Sequence, residues 1–167
     1  MKLADVQAIL RALNDADVRY LIVGGLAVVA HGYVRATVDI DIVLNLEKEN
    51  ALRAMKALDA IGYRPLVPVA ATDFADEAIR RRWIEDKNMI VFQMRNPDRE
   101  STRLDIFVDE PFSFAKELAE AKWEDVAGIQ APVLRLERLL QMKRESGRPQ
   151  DLLDIEQLEL IAGSRKT

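Results

Sequence analysis

The sequence predicts an α/β protein: a small mixed sheet flanked by helices, with further helices at the C-terminal end. Three observations carry this. Segments whose apolar residues alternate, 38–44 and 103–108, are interspersed with segments at helical spacing, such as 3–13 and 51–61. An apolar run at 21–23 halts at Gly24-Gly25 and gives way to small apolar residues suited to a helix, the pattern of a strand feeding a glycine turn feeding a helix. The last stretch holds two helical stripes separated by Gly147-Arg148-Pro149, with glycine placed to end one helix and proline to open the next.

Taken in order, Leu3, Val6, Ile9, Leu10 and Leu13 define an amphipathic first helix that stops at Asn14-Asp15. A strand follows over 18–23, then a short helix from Gly25 to about His31 with Gly32 as its cap. The next strand, 37–45, turns Val38, Ile40, Ile42 and Leu44 to one face and Asp39, Asp41 and Val43 to the other. Glu47 and Glu49 open a third helix whose stripe is Ala51, Leu52, Met55, Leu58 and Ile61, ending at Gly62. Pro65 and Pro68 make 63–69 an edge or irregular strand. A helix is expected over 72–83, acids first and Arg80-Arg81-Arg82 last, as the helix dipole prefers.

Strands over 88–94 and 103–108 flank a turn at Asn96-Pro97-Asp98-Arg99 and are expected to pair as an antiparallel hairpin. Leu104, Ile106 and Val108 share one face of the second, and Arg103, Asp105 and Phe107 the other. A helix is expected over 112–123, then a short extended piece over 126–133 broken by Gly128 and Pro132, then the two final helices. Lys143 continues the apolar stripe Leu136, Leu139, Leu140, and the stripe of the last helix extends back through Asp154 and Asp151. All three charged residues are expected to face the protein. The organisation read from this is a core over 1–133 with a helical extension over 134–167 packed on it as one compact unit.

Composition bounds the function. The chain has 167 residues, 49% apolar and 31% charged, with a net charge of -4, which describes an ordinary soluble surface and argues against a globally basic nucleic-acid binder. Without cysteine there is neither a disulfide framework nor a thiolate metal site. No run approaches the roughly 20 apolar residues needed to cross a bilayer, and the start lacks the apolar core of a signal peptide, so the expectation is a cytoplasmic protein with no membrane partner.

The chemistry concentrates on Asp39, Asp41 and Asp105. Asp39 and Asp41 stand on one strand face about 6 to 7 Å apart at the usual rise, a spacing suited to holding one or two divalent cations. Like charges there are costly to desolvate unless a cation offsets them. Hard oxygen donors suit Mg²⁺, which completes its shell with water and substrate phosphate. If Asp105 lies on an adjacent strand facing the same way, three carboxylates converge in the layout of a metal-assisted displacement with a pyrophosphate leaving group, the Gly24-Gly25 turn holding the nucleotide's phosphates opposite. Arg103, two residues before Asp105 on the same face, is the alternative partner for that carboxylate.

Val23-Gly24-Gly25, thirteen intervening residues and Asp39-Ile40-Asp41-Ile42, with Asp105 on a later strand, resemble the signature of the polymerase-beta-like nucleotidyltransferase superfamily. Within it, Gly24-Gly25-Leu26-Ala27, His31-Gly32, Arg35, Thr37 and the C-terminal Lys143, Gly147-Arg148-Pro149 and Asp151-Leu152-Leu153-Asp154 are similar to small bacterial members, including the AbiEii-like toxins of type IV toxin–antitoxin systems. The resemblance covers 20–41, Asp105 and about 134–158. It implies Mg²⁺-dependent transfer of a nucleoside monophosphate from a nucleoside triphosphate to an acceptor hydroxyl.

The implied roles are phosphate contact for Gly24 and Gly25, metal ligation for Asp39 and Asp41, and ligation or general-base work for Asp105. Lys143 would contact the triphosphate, with Asp151 orienting it; the alternative is a lysine whose stem packs while its ammonium reaches water. Arg35 meets either phosphate or an aspartate. Gly25 stands where many members have serine. His31 is read as structural, and Arg80-Arg81-Arg82-Trp83 as a solvated helix end, with nucleic-acid contact as its alternative. The acceptor is not legible: tRNA, a protein or a small molecule all remain open, as does an antitoxin protein as partner. The rival to catalysis is a silent relative that uses the same cleft to bind a nucleotide or a partner protein.

Overall fold

The computed structural model describes residues 1–99 and 102–164, with only the backbone of Arg99. In chain order the elements are α1 (Leu3–Asp15), β1 (Tyr20–Val23), α2 (Gly24–Ala30), β2 (Asp39–Leu44), α3 (Lys48–Ala60), β3 (Arg64–Pro65), α4 (Glu77–Lys87), β4 (Val91–Arg95), β5 (Arg103–Phe107), α5 (Phe114–Glu120), β6 (Lys122–Val126), β7 (Ile129–Val133), α6 (Leu136–Ser146) and α7 (Pro149–Ser164). The strands form one mixed sheet in the order β3-β4-β5-β2-β1-β7-β6. β2 pairs β5 in parallel and β1 pairs β7 in parallel, while the other neighbours are antiparallel.

The alternation written in the strands decides which face is core. Ile22, Ile40, Ile42, Leu44, Phe92, Met94, Leu104 and Ile106 are all fully buried on one face. Tyr20 belongs to that face and donates its hydroxyl hydrogen bond to Asn14 of α1 at 2.9 Å, which fixes α1 there; α3 packs on α1. The aspartates point to the other face. There α2 starts directly beneath Asp41, and α6 and α7 pack together beside it. The elements that carry the site are thus held from behind by a dry apolar layer and from one side by helices.

Three expectations need correction. The helix expected over 72–83 is two pieces, a 3-10 turn at Ala71–Ala75 and α4, because Asp76 caps α4 by accepting the Ile79 N–H at 3.1 Å and so begins a new helix. The helix expected over 112–123 ends at Glu120, and Trp123 lies in edge strand β6. Only Val126 of that strand is buried, so its alternation left no apolar signature. Third, Pro132 does not break the extended segment: β7 runs through it between β1 and β6. The β6–β7 turn places Ala127 and Gly128 at positive φ, 61° and 80°, which matches the right-handed twist of a two-residue hairpin. The expected hairpin of β4 and β5 is present and antiparallel, and β3 is a two-residue edge strand.

Candidate active site

The glycine turn is shaped first by a carboxylate. Gly24 has φ +61°, and a Cβ built on it would lie 2.0 Å from Asp41 Oδ2, so no larger residue fits without moving Asp41. The Gly25 N–H donates to the Asp41 side chain. A Cβ on Gly25 would lie 2.5 Å from Thr37 Oγ1 and 3.2 Å from Arg35 Nη2. The threonine hydroxyl therefore fills the space that a serine side chain would take at position 25.

Register then brings the acids together. Asp41 is the direct partner of Asp105 across the parallel β2–β5 pair, and Gln93 is the partner of Asp105 across β4–β5, so the three side chains line up on one face. Gln93 donates its amide to both Asp105 oxygens, at 3.2 and 3.3 Å. Burial, and next the charge of Asp105, push the Asp41 carboxyl up to about 6, against the Gly25 hydrogen bond. Burial also raises Asp105, and the Gln93 hydrogen bond opposes it.

One row further along, Asp39 stands opposite Arg103, which donates Nε and Nη2 to it at 2.8 and 3.3 Å. Arg103 is thus the partner of Asp39, not the partner of Asp105 that its spacing in the sequence suggested. Among the described residues, no three acidic or histidine side chains already stand close enough to hold a metal ion. The donor chemistry nonetheless fits a hard cation. Asp41 and Asp105 face each other as neighbouring carboxylates, and the charges of Asp105 and Asp39 both disfavour ionising Asp41. Ligation by Asp39 requires it to exchange Arg103 for the ion.

Behind the glycine turn lies a buried ionic network. Lys143 is only 5% exposed, and its Nζ lies 2.7 Å from Asp151 Oδ1 and 2.7 Å from Asp154 Oδ2. Its ammonium does not reach water, which removes the snorkelling alternative. Arg35 grips Asp154 with Nε and Nη2 at 2.7 and 2.8 Å, so it pairs with an aspartate. Arg148 donates to Asp151 at 2.8 Å. Burial works against ionising Asp151, yet hydrogen bonds from Arg148 and Lys143 hold it well below the usual carboxylate range. Asp154 is likewise lowered despite burial, by Arg35 and Lys143. The network ties α6 and α7 to the loop between α2 and β2, and through it to the glycine turn. The charge of Lys143 also stabilises the Asp41 carboxylate, and that of Asp41 supports the Arg148 guanidinium.

Gln93 and Arg148 are the site neighbours that sequence reading passed over. Gln93 had no signal beyond its alternation, and Arg148 lay inside the matched C-terminal motif without an assigned role. His31 Nε2 is 2.8 Å from the Leu134 carbonyl oxygen, the structural role expected. The Arg80–Trp83 surface needs correction. Arg80 and Trp83 are each 6% exposed, Arg80 donating to the Phe74 carbonyl at 2.7 Å and Trp83 stacking on Phe92 at 5.3 Å. These two are core, so they form no stacking platform, whereas Arg81 and Arg82 between them are exposed, as a solvated helix face requires.

A mixed sheet with this glycine turn and this carboxylate row defines a nucleotidyltransferase fold. The chain belongs to the aminoglycoside-2''-adenylyltransferase family, whose model matches residues 5–158, and is a nucleotidyltransferase. Among solved structures it is similar to the lincosamide antibiotic adenylyltransferase LnuA, lincomycin-bound, with TM-score 0.63 and 19% identity over 95% of this chain and 96% of that one. It is also similar to ANT(2'')-Ia in complex with adenylyl-2''-tobramycin, with TM-score 0.61 and 17% identity over 99% and 98%. At such identities the likeness shows the fold. No curated protein matches the chain by sequence. The superfamily read from the sequence stands; the family matched is that of the aminoglycoside enzymes, where the resemblance had pointed to AbiEii-like toxins. Among the described residues, no helix is long and apolar enough to cross a membrane.

Proposed function

We propose that the chain transfers the adenylyl group of ATP to a hydroxyl of a small-molecule acceptor and releases pyrophosphate. The observation that carries this reading is the direct registry of Asp41 with Asp105 beside the Gly24-Gly25 turn. Asp105 accepts the proton of the acceptor hydroxyl, whose oxygen bonds to the α-phosphorus as the bond to pyrophosphate breaks. Asp39, Asp41 and Asp105 are the residues that would hold Mg²⁺, which on binding supplies charge stabilisation to the phosphate oxygens. The Gly24-Gly25 turn meets the triphosphate with its backbone, while the Gly25 N–H holds Asp41 in place beside it. Lys143 lends positive charge next to Asp41, Asp151 orients it, and Arg35 fixes the loop that carries Thr37 against Gly25.

On this reading residues 1–133 are the catalytic core and 134–167, of which 165–167 lie outside the described residues, the extension whose helices deliver Lys143 and Asp151. Its triphosphate substrate sets the reaction in the cytoplasm. The small-molecule acceptor follows from the antibiotics named with the similar enzymes. A toxin–antitoxin role rests on the resemblance alone; growth arrest on expression that survives loss of Asp41 would favour a component that acts by sequestering a partner over an enzyme.

The test incubates the protein with Mg²⁺, ATP labelled at its α-phosphate and a cell extract later separated into small molecules, RNA and protein. Label is expected in the small-molecule fraction. Asp105→Asn is expected to lower transfer by about 100-fold or more while ATP affinity by calorimetry stays within a few-fold, as loss of a general base predicts. ATP binding without any transfer would make the chain a silent binder, and label in RNA or protein would refute the acceptor class.

A further inference from the structure

The helices cover only part of the sheet face that bears the aspartates. Over β4 and β5 it stays open, and its rows can be read from the pairing. Arg95 and Arg103 are direct partners, then Gln93 and Asp105, then Val91 and Phe107. Arg64 extends the first row at the sheet edge as the partner of Arg95. Arg95 and Arg103 are exposed, whereas Val91, Gln93, Asp105 and Phe107 are half-buried. The opposite face of the same strands, Phe92, Met94, Leu104 and Ile106, is fully buried.

Like charges directly opposite on neighbouring strands are destabilising. Two of the three arginines have an offset: Arg64 reaches Asp59 at 2.8 Å, and Arg103 reaches Asp39 at 2.8 Å. Arg95 stands between them without a partner among the described residues. A row of guanidiniums whose central member pairs with none of the described residues is a place for an anion, because each offers forked donors suited to carboxylate or phosphate.

We propose that this open face seats the acceptor, and that it selects a small hydroxylated acid. Its carboxylate or phosphate lies on Arg95 and Arg103, its reacting hydroxyl at Asp105, and its apolar body on Val91 and Phe107. Residues two apart on a strand are separated by roughly 6 to 7 Å, so the acid and the hydroxyl stand about that far apart along the ligand. The hydroxyl gives its proton to Asp105 and its oxygen takes the adenylyl group, with pyrophosphate leaving. A polycation of the aminoglycoside kind would set its ammonium groups against the arginine row. This inference deepens the adenylyl-transfer reading and rests on it.

The test uses full-length protein with ¹⁵N-labelled arginine, with Mg²⁺ and ATP affinity measured by calorimetry on the same sample. Phenyl phosphate, benzoate, benzyl alcohol, tobramycin and a short single-stranded RNA are titrated separately. Saturable shifts of the Arg95 and Arg103 Nε–H signals are expected with phenyl phosphate or benzoate, whichever binds tighter telling phosphate from carboxylate. Affinity should exceed that for benzyl alcohol by about tenfold or more, the size of a charge-assisted hydrogen bond. Arg95→Glu should abolish most of that gain, and Arg81→Glu, on the exposed side of α4, should leave it intact. Absence of shifts with ATP still binding overturns this inference alone, and so does equal binding of benzyl alcohol or preference for tobramycin. RNA binding that depends on Arg95 while neither small acid binds reassigns the face and overturns it too. Failure to bind ATP removes the nucleotidyl-transfer reading and this inference with it.

Discussion

Asp154→Asn isolates what the buried network contributes. Asp154 is fully buried and accepts from Arg35 at 2.7 and 2.8 Å, from Gln150 at 3.0 Å and from Lys143 at 2.7 Å. The amide keeps the shape but removes the charge, leaving the Arg35 guanidinium without an anion and Lys143 with Asp151 alone. Removing one partner of a buried pair costs about 3 to 5 kcal/mol, because the other charge stays desolvated. Lys143→Met should cost less, since Asp151 retains Arg148 and Asp154 retains Arg35. Glu159→Gln breaks the exposed pair with Arg144 and should cost about 0 to 1 kcal/mol. Urea denaturation reads the difference: with a slope of roughly 1 to 3 kcal/mol per molar, a loss of about 3 to 5 kcal/mol in Asp154→Asn should lower the midpoint by about 1 to 5 M. A loss under about 1 kcal/mol, or a Lys143→Met variant weaker than Asp154→Asn, refutes the assignment of the network as a buried clamp.

Acid should probe the same clamp. Against burial, Asp151 is held low by Arg148 and Lys143, and Asp154 by Arg35 and Lys143, so both are depressed in the folded state. Their stabilisation is then complete above the unfolded carboxylate value near 3.9 and is lost as pH falls through the folded values, so urea midpoints should drop steeply below about pH 4 and less steeply in Asp154→Asn. Gly24→Ala meets both a positive φ and the Asp41 carboxylate, so it should cost at least about 1 kcal/mol by denaturation and lower nucleotidyl transfer more than Ala27→Gly on the same helix. Trp83→Ala removes the ring stacked on Phe92 and should cost about 3 to 5 kcal/mol, while RNA affinity, by gel shift, stays as in the unaltered protein.

The strands that matter were legible because one period governed them. Ile40 and Ile42 inward and Asp39 and Asp41 outward is a pattern that survives without knowledge of the neighbours, and the same holds for Leu104, Asp105 and Ile106. Pairing register was not legible: that Arg103 meets Asp39, and that Gln93 meets Asp105, depends on how far β5 slides along β2 and β4. β6 escaped notice because an edge strand with one buried residue has no apolar alternation to read. Arg80 and Trp83 misled for the opposite reason. Their composition is that of a surface, and only the packing of α4 against Phe74 and Phe92 shows that the guanidinium and indole are buried.

The two halves of the aspartate-bearing face differ in how firmly they are built, and that difference bears on what each half does. Around Asp41 the positions are fixed from every side: the Gly24 backbone in contact, the Gly25 N–H bonded, Thr37 pressed on Gly25, and Arg35 locked through Asp154 to Lys143. A site so constrained suits a group that is the same in every turnover, which on our reading is the triphosphate. Across β4 and β5 the side chains are exposed or half-buried and, apart from the Gln93–Asp105 and Arg103–Asp39 bonds, free of such constraint. The exposed positions there, Arg95 and Arg103, can be substituted without touching the core. On our reading, then, the constrained half of the face carries the reaction and the exposed half, with Arg95, the choice of acceptor.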